Sequence, residues 1–343
     1  MIKFCKKCLY GDEHPLGIYI DEKGICSGCR IHEEKDTIDW NDRFDELQKL
    51  VNSYKTKDSY DCIVPITPAN DSYFVLHTII NVLKLKPLVV TYNRYWNTKE
   101  GIWSLANLRR VFNVDILIKN VNIESVKRIT RTTLIEHGNL NWHCLAGQTV
   151  FPVQCSVKYR IPLIIWGAIQ GIEQVGMFRH TDNVEMTRRY RKDHDLFGQE
   201  AENLLSVFND LNEEDIFEYL YPDSLELISA ETRGIYLGNY IRWDPYTQHK
   251  KMQVLYGYRG ANFLRTFDRY DHIDCQNYMG IHDWLKLLKH GYSKVTDQAC
   301  REIRHGRMTR ENAIAIVRKY EKIKPQISKE LCKWLGIDKE SLQ

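Results

Sequence analysis

The sequence predicts an α/β protein with three parts: an N-terminal four-cysteine knuckle, a doubly wound parallel sheet and a helical C-terminal domain. Two CxxC pairs open the chain, short apolar strands alternate with helices from Cys62 to Trp166, and the chain beyond about Leu204 is rich in Tyr, Trp, Arg and His without strong strands. Continuous apolar strands that alternate with helices are typical of a parallel sheet covered on both faces. The expected domains are 1–36, 37–203 and 204–343.

Length and composition limit the classes of protein. The 343 residues, 43% of them hydrophobic, are enough to bury a full core. The formal net charge of +3 is small and no long basic tract is present, which argues against bulk nucleic-acid binding. The N-terminus lacks the apolar run of a secretory signal, and no stretch approaches the roughly 20 apolar residues of a membrane span. We therefore expect a cytoplasmic protein without a membrane span, whose ten cysteines are not disulfides.

The knuckle consists of Cys5-x2-Cys8 and Cys26-x2-Cys29, with 17 residues between the two pairs. This spacing is typical of a tetrahedral four-thiolate zinc site, and because such a site has no open coordination position, we expect a structural zinc ion. Two alternatives stay open: four reduced cysteines without metal, and a redox pair, although neither CxxC opens a helix after a strand. Most of the remaining cysteines are expected to be buried singly: Cys62, Cys144, Cys155, Cys275, Cys300 and Cys332.

The elements follow in an order that predicts where a ligand would bind. Behind Asp39, a plausible N-cap, apolar residues recur at helical spacing. The expected alternation is then strand 62–66, helix 71–83, strand 87–92, helix 99–112, strand 114–118, helix 124–137, helix 146–159 and an apolar run over 161–167. Parallel sheets of this kind bind ligands beyond the carboxyl ends of their strands. The turns that matter are therefore 67–72, 92–98 and 166–171.

The first of these turns reads Thr67-Pro68-Ala69-Asn70-Asp71-Ser72. A turn from a strand into a helix is a ready anion site, but the loops that use it best contain glycines and a lysine. Pro68 has no N–H, Ala69 resists left-handed conformations and Asn70 is neutral. The residues alone favour an ordinary helix start, with Thr67 as N-cap and Pro68 at the first helical position, over a phosphate-binding loop.

A set of longer strings accompanies the double CxxC and the Asp-Ser turn: YDCIVP, NWHC, IPLIIWG, RKDHDL, GIYLGNYIRWDPYTQHKKM, RTFDRYDHID and HGYSKVTDQACREIRHGRMTRENAI. Together these strings resemble the N-acetyl sugar amidotransferases, which are PP-loop ATP pyrophosphatases of bacterial surface-sugar biosynthesis, including pseudaminic-type sugars. The resemblance covers nearly the whole chain. Its C-terminal strings are the specific part, because the sheet alone is generic.

The resemblance implies a PP-loop domain, of the adenine nucleotide alpha hydrolase-like fold, that uses ATP and Mg²⁺. Such an enzyme adenylates the acetamido oxygen of a nucleotide-linked N-acetyl sugar, and ammonia from a separate glutaminase and cyclase-like pair displaces AMP to give an acetamidino group. The family loop is Ser-Gly-Gly-Lys-Asp-Ser, so this chain lacks two glycines and the lysine. Two further departures are Ala168-Ile169, where relatives carry an acidic and a basic residue, and Leu145, where they carry histidine.

The resemblance also implies site residues. Asp71 and Ser72 would lie at the phosphates, with Mg²⁺ near Asp71. The expected nucleotide-binding set is Thr67, Asn70, Asp71, Ser72 and Asn93. The expected catalytic set adds Asp193 and His194, and the expected substrate-binding residues are Arg191, Lys192, Trp243, Arg301 and Arg304. The alternatives are a solvated charge run over 187–195, core packing for Trp243, and an exposed basic helix for Arg301 and Arg304.

Two functional hypotheses follow from these residues. The first is an amidotransferase for lipopolysaccharide or O-antigen biosynthesis that acts with ammonia-supplying subunits. The second is a catalytically impaired relative, a pseudo-enzyme that binds the sugar nucleotide or the partner without ATP turnover. Zinc-dependent nucleic-acid binding is a weaker third hypothesis, because neither a basic tract nor interleaved aromatic residues surround the knuckle. A homo-oligomer is compatible with all three.

Overall fold

A five-stranded parallel sheet forms the centre of the protein, in a computed structural model that describes residues 2–207, 210–269, 277–326 and 329–338. The strands are β1 (Cys62–Pro65), β2 (Pro87–Tyr92), β3 (Ile116–Lys119), β4 (Leu163–Trp166) and β5 (Arg233–Tyr236). Their order across the sheet is β3-β2-β1-β4-β5. The predicted α/β class with a parallel sheet is thus confirmed.

The helices surround this sheet and form the C-terminal region. They are α1 (Ser27–Glu34), α2 (Trp40–Asn52), α3 (Asn70–Leu76), α4 (Lys99–Phe112), α5 (Ile123–His137), α6 (Trp142–Tyr159), α7 (Arg188–Tyr190), α8 (Ala201–Val207), α9 (Glu213–Ile216), α10 (Ser224–Ser229), α11 (Pro245–Tyr256), α12 (Met279–His290), α13 (Lys294–Arg304), α14 (Arg310–Glu321) and α15 (Lys329–Leu335). Asp39 caps α2 as expected, because its carboxylate accepts from the backbone N–H groups of Asn41 and Asp42.

Short 3-10 and π-helical turns complete the chain. The π-helical turns are His77–Val82, Gly171–Val175 and Arg191–Asp195, and the 3-10 turns are His180–Asp182, Phe217–Tyr219 and Leu237–Asn239. The first π-helical turn directly follows α3. The helix predicted over 71–83 is therefore present as an α-helical segment followed by a π-helical segment.

The strand order places a topological switch point between β1 and β4. From β1 the chain moves outward through β2 to β3, and it then returns to the other side of β1 to add β4 and β5. Ile63 at the middle of β1 pairs with Leu88 on β2 and with Ile164 on β4, and all three side chains are buried. In open parallel sheets, ligands bind in the crevice beyond the carboxyl ends of the strands at such a point.

Strand β5 is the main departure from the predicted elements, since no strong strand was expected after about residue 204. It pairs in parallel with β4 over its whole length, Leu163 with Arg233 through Trp166 with Tyr236. The four residues Arg-Gly-Ile-Tyr are too short a run to give a periodic signal, and the sheet itself supplies their hydrogen bonds. The sheet therefore includes residues on both sides of 203, and the division of the chain into three domains stays a prediction.

The N-terminal lobe packs against the C-terminal helices and shares a hydrophobic core with them. The four knuckle cysteines, Tyr10 and Ile18 lie in one cluster with buried residues of α13 and α14, namely Val295, Ala299, Cys300, Ile303, Ala313 and Val317. Of the singly placed cysteines, Cys62, Cys144, Cys155, Cys300 and Cys332 are buried as predicted, and Cys275 lies outside the described residues. Among the helices that the structure describes, none has the length and apolarity needed to cross a bilayer.

Candidate functional site

A cavity of about 390 Å³ lies at the carboxyl edge of the sheet, at the switch point, and we call it the edge cavity. The turn after β1 contributes Thr67, Asp71 and Ser72 to its wall. Aliphatic residues such as Val75 and Met186 also line it, together with aromatic side chains and side chains with polar ends: Tyr92, Arg94, Gln148, Thr149, Phe151, Trp166, Tyr190, Asp195 and Tyr236. Apolar walls with a few convergent polar groups are typical of small-molecule sites.

The turn after β1 satisfies most of its own hydrogen-bond donors. The N–H of Thr67 donates to the hydroxyl of Ser72 at 2.8 Å, and the N–H of Ala69 donates to the hydroxyl of Thr67 at 3.3 Å. The N–H of Ser72 donates to the carbonyl of Ala69, and Pro68 has no N–H. Ala69, not Thr67, is the N-cap of α3, so the helix begins two residues later than the helix-start interpretation expected. Few backbone donors therefore remain in this turn for an anion.

Asn70 and Asn93, both expected to bind nucleotide, lie outside the wall of the edge cavity. Asn70 is fully buried, and its side-chain amide donates to the carbonyl of Pro245 at 3.4 Å, which turns it toward α11. The side-chain oxygen Oδ1 of Asn93 accepts from the backbone N–H of Tyr95 and from the side-chain amide of Asn97. These bonds hold the turn after β2.

Asp71 is the titratable group of the turn that faces open space. It is half-buried, it lines the edge cavity, and it accepts no hydrogen bond from the residues that the structure describes. Burial raises the pKa of its carboxyl to about 6; the charge of Glu173 acts in the same direction and that of Arg301 acts against it. A carboxyl of this kind in a cleft is typical of a functional site.

The raised pKa of Asp71 predicts how stability depends on pH. Between about pH 4 and pH 6 the folded chain binds more protons at this group than the unfolded chain, so the free energy of unfolding falls as the pH rises through that window. Asp71→Asn is expected to flatten this slope and to raise the free energy of unfolding at pH 7 by on the order of 1 kcal/mol, measured by urea denaturation without magnesium.

Asp244→Asn is the matched control for that measurement. Burial acts against ionisation of Asp244, but hydrogen bonds from Thr247 and Arg307 and the charges beside it lower its pKa, and it caps α11. Its replacement is therefore expected to lower the free energy of unfolding at pH 7. A loss of stability in Asp71→Asn as well would mean that the Asp71 carboxylate has a partner in solution.

A second cavity of about 190 Å³ adjoins the first, and we call it the inner cavity. The two cavities share Asp71, Ala168 and Gln170, so the Asp71 carboxylate lies between them. Three of the expected substrate-binding residues, Trp243, Arg301 and Arg304, line the inner cavity. The structure therefore brings the residues of the turn after β1 close to residues more than 170 positions later in the chain.

The three residues are also held by protein contacts. Trp243 is buried and packs edge-on against Phe74. Arg301 donates to Asp268 at 2.8 Å and to Glu302 at 2.9 Å. Arg304 donates to two backbone carbonyls, of residues 173 and 174, at 2.8 and 2.7 Å. Both guanidinium groups thus already have acceptors, which reduces the charge available to a ligand.

The charged run around residue 191 splits between the wall of the edge cavity and solvent. Arg191 is buried behind the wall, where it donates to the hydroxyl of Thr149 at 2.9 Å and lies 3.6 Å from Glu200; burial lowers its pKa. Lys192 and Asp193 are exposed and are not part of the cavity wall. The alternative of a solvated charge run therefore describes Lys192 and Asp193, but it does not describe Arg191.

His194, expected to be catalytic, lies beside the cavity wall, and the neighbours that form the wall were not among the expected site residues. One ring nitrogen of His194 lies 2.7 Å from the carboxylate of Asp195, and the ring stacks on Tyr190. His194 itself is not in the wall, whereas Asp195, Tyr190 and Tyr236 are. Asp195 lies in the charged run noticed in the sequence. Tyr236 ends the unexpected strand β5 and lies in a string that carries the resemblance, but nothing in that string marked it as a site residue.

The four cysteines of the knuckle form one buried cluster, as predicted. Their sulfur atoms all lie within 4.8 Å of one another, and those of Cys8 and Cys26 are 3.5 Å apart. Sulfur atoms around a zinc ion with bonds of about 2.3 Å lie about 3.8 Å apart, so the cluster has the size of a tetrahedral site. The sulfur of Cys5 accepts from the N–H groups of residues 7, 8 and 26, which stabilises a thiolate. Four buried sulfur ligands, one of them stabilised as a thiolate, are typical of a structural metal site.

The knuckle also holds the turn after β4, which contributes Ala168 and Gln170 to both cavities. Arg304 reaches from the carbonyls of this turn to the sulfur of Cys26 at 3.8 Å. Hydrogen bonding with Cys29 lowers the pKa of the Cys26 thiol, and the charge of Arg304 acts in the same direction. The hydroxyl of Ser27 donates to the carbonyl of Val175 at 2.6 Å. The cysteine cluster is therefore one or two contacts away from the cavity wall.

Comparison with known proteins identifies one region of the chain. No curated protein matches the sequence. The last part of the chain, residues 264–343, contains α12 to α15 and includes Arg301 and Arg304 of the inner cavity. These residues match the family described as "LPS biosynthesis protein WbpG-like, C-terminal domain", so this region of the chain is similar to that domain.

Proposed function

We propose that this chain is an N-acetyl sugar amidotransferase-like protein of lipopolysaccharide biosynthesis and that it binds a nucleotide-linked N-acetyl sugar in the two adjoining cavities. The observation that carries the proposal is that Asp71, at the switch point of the sheet, lies on the same cavity wall as residues of the WbpG-like domain. Aromatic walls suit the faces of a sugar or a base, and side chains such as Gln148 and Thr149 offer partners to hydroxyl groups.

The proposed reaction has two steps. The acetamido oxygen of the sugar attacks the α-phosphorus of ATP and pyrophosphate leaves; ammonia then attacks the acetamido carbon and AMP leaves, which gives the acetamidino group. Asp71 would hold Mg²⁺, which neutralises phosphate charge when bound, and Ser72 would contact the phosphates. With a pKa of about 6, Asp71 is largely ionised at pH 7, which is the form that would hold the cation. A partner glutaminase would supply the ammonia.

The turn after β1 favours a second candidate function, in which the chain binds the sugar nucleotide or its partner without ATP turnover. The N–H groups of Thr67, Ala69 and Ser72 are already bonded within the turn. No lysine replaces the missing charge, and the ionised Asp71 repels phosphate. Each lost charge-assisted contact costs on the order of 1.5 to 3 kcal/mol, so the loss of several weakens ATP binding by orders of magnitude.

Restoring the family turn is expected to restore ATP affinity. We expect the wild-type chain to bind ATP with magnesium only weakly, and the variant Pro68→Gly, Ala69→Gly, Asn70→Lys to bind at least about ten times more tightly, because it regains one amide donor, two flexible glycines and a cation. Calorimetric titration measures the affinity. Pro68→Ala is the control, since it restores an N–H group without the glycines or the charge.

Turnover distinguishes the two candidates. Pyrophosphate release is measured with ATP, magnesium, a panel of nucleotide-linked N-acetyl sugars and ammonium ion in place of the glutaminase. Release by the wild-type chain supports the amidotransferase and contradicts the second candidate. Sugar-nucleotide binding without release, together with a gain of ATP binding in the triple variant, supports the second.

A further inference from the structure

A groove of about 620 Å³ lies between the N-terminal segment and the C-terminal helices. Its walls are the N-terminal hairpin from Ile2 to His14, the end of α12 with the residues that follow it, and one face of α14. It shares no wall residue with the edge cavity, and Tyr10 separates it from the inner cavity. A ligand in this groove would therefore not occupy the site of the proposed reaction.

His14 presents an unpaired donor in this groove. Its Nδ1 accepts from the N–H of Leu16 at 3.2 Å, so the proton of the neutral ring is on Nε2. Burial lowers the pKa of the ring to about 4, which keeps it neutral at pH 7. The ring is 6% exposed and packs between Tyr10 and Tyr292, and its Nε2 has no hydrogen-bond partner within the described part of the chain. A buried donor without a partner is costly, and an acceptor on a ligand would remove that cost.

Cations outnumber the available anions around this donor. Lys289, Arg310 and Arg318 contribute to the wall, against Glu13 and Glu321. Glu321 is already engaged, because its carboxylate accepts from the hydroxyls of two residues at the start of α13 at 2.8 and 2.9 Å. Arg318 is exposed and forms no ion pair with the residues that the structure describes. The groove is thus positively charged around a single buried donor.

Apolar side chains form the rest of the wall. Ile2 and Phe4 are 43% and 57% exposed at one end of the groove, and Leu9, Ile314 and Val317 continue the apolar surface inward. A volume of this size with apolar walls and a few convergent polar groups matches sites for small organic ligands. Inorganic anions would leave the apolar wall in contact with water.

We propose that this groove is a second ligand site, for a small molecule that carries an anionic group on an apolar or aromatic body. The anionic group accepts from His14 Nε2 and pairs with Arg318, and the body of the ligand covers Phe4 and the neighbouring apolar side chains. This site is independent of the proposed amidotransferase chemistry, because its wall contains none of the residues assigned to that reaction.

The probe for this site is 8-anilinonaphthalene-1-sulfonate, which joins a sulfonate to an aromatic body. We expect its fluorescence to rise on binding to the full-length, zinc-loaded wild-type chain at one site, with a dissociation constant below about 1 mM. Arg318→Glu is expected to weaken binding at least about tenfold, because the variant loses a charge-assisted contact and adds a repulsion. Lys319→Glu makes the same charge change at the next, exposed position of α14, outside the groove wall, and should stay within about twofold of wild type.

His14→Phe tests the donor, since it keeps a ring between Tyr10 and Tyr292 and removes the N–H. It is expected to weaken binding about fivefold or more, with zinc content and melting temperature confirming that the lobe is folded. If His14→Phe does not fold, the comparison of probe binding between Arg318→Glu and Lys319→Glu tests the proposal by itself. The absence of binding by wild type up to about 1 mM, or equal binding by Arg318→Glu and Lys319→Glu, overturns the proposal.

Discussion

Cys8→Ser is expected to lose the metal ion and to lower the free energy of unfolding by about 3 kcal/mol or more. Structural zinc contributes on the order of 10 kcal/mol or more to the folding of small zinc domains, and a site with one thiolate replaced by a hydroxyl binds the ion far more weakly. Here the knuckle sulfurs also belong to the hydrophobic core shared with α13 and α14. Loss of the ion is therefore expected to loosen the C-terminal helices as well as the N-terminal lobe.

Metal analysis and thermal unfolding of the purified chain measure these two effects. We expect one zinc ion per wild-type chain and a clearly lower melting temperature for Cys8→Ser. Hydrogen exchange should increase in the turn around Val175, which the knuckle holds through Ser27. Cys155→Ala is the control, since Cys155 is equally buried but lies outside the cluster, and it should keep its zinc. A wild-type chain that folds without any metal would contradict the assignment of the cluster.

The features that the sequence predicted well are those with a local signal. The apolar strands, the helix caps such as Asp39 and the paired CxxC motifs each depend on residues within a few positions of one another. The carboxyl edge of the sheet could also be located in advance, because the order of elements alone identifies the turns that follow the strands. The resemblance implied Asp71 and Ser72 as site residues, and both line the edge cavity.

The features that the sequence did not reveal depend on which distant segments meet. Strand β5 is four residues long and exists because β4 supplies its hydrogen bonds. Gln148 and Thr149 face the edge cavity because α6 packs across the sheet, and nothing in the helical periodicity distinguishes that face from an ordinary core face. Likewise, the inward turn of Asn70 toward α11 became visible only with the position of Pro245.

The turn after β1 combines both cases. Its composition indicated a poor phosphate loop, since it lacks the glycines and the lysine. The structure adds a separate reason: the hydroxyls of Thr67 and Ser72 occupy the N–H groups that a phosphate would use. The restoration proposed above changes three positions together because an isolated glycine substitution would leave the missing cation and the missing N–H group of Pro68 unrestored.

Gly147→Ala is expected to destabilise the chain by about 2 kcal/mol or more and to disturb the edge cavity at the same time. A Cβ at this position of α6 would overlap the ring of Tyr92. That ring has nowhere to move, because its hydroxyl is bonded to the hydroxyl of Tyr219 at 2.7 Å and to Nδ1 of His143 at 3.1 Å, and all three side chains are buried. Tyr92 also lines the edge cavity, so its displacement would change the cavity wall.

Helix propensity alone predicts that Gly147→Ala raises the free energy of unfolding, whereas the contact with Tyr92 predicts that it lowers it. The measurement therefore distinguishes the two effects. Replacing glycine by alanine inside an exposed helix stabilises it by up to about 1 kcal/mol. Gly280, in the first turn of α12, is the matched control: the nearest atom to an added Cβ is Cβ of Pro325 at 3.8 Å, an ordinary contact distance. Urea denaturation should therefore show Gly280→Ala at or above the stability of wild type and Gly147→Ala well below it. Equal stabilities of the two variants would mean that α6 does not approach Tyr92 as closely as the structure shows. The position of Tyr92 in the wall of the edge cavity would then be wrong.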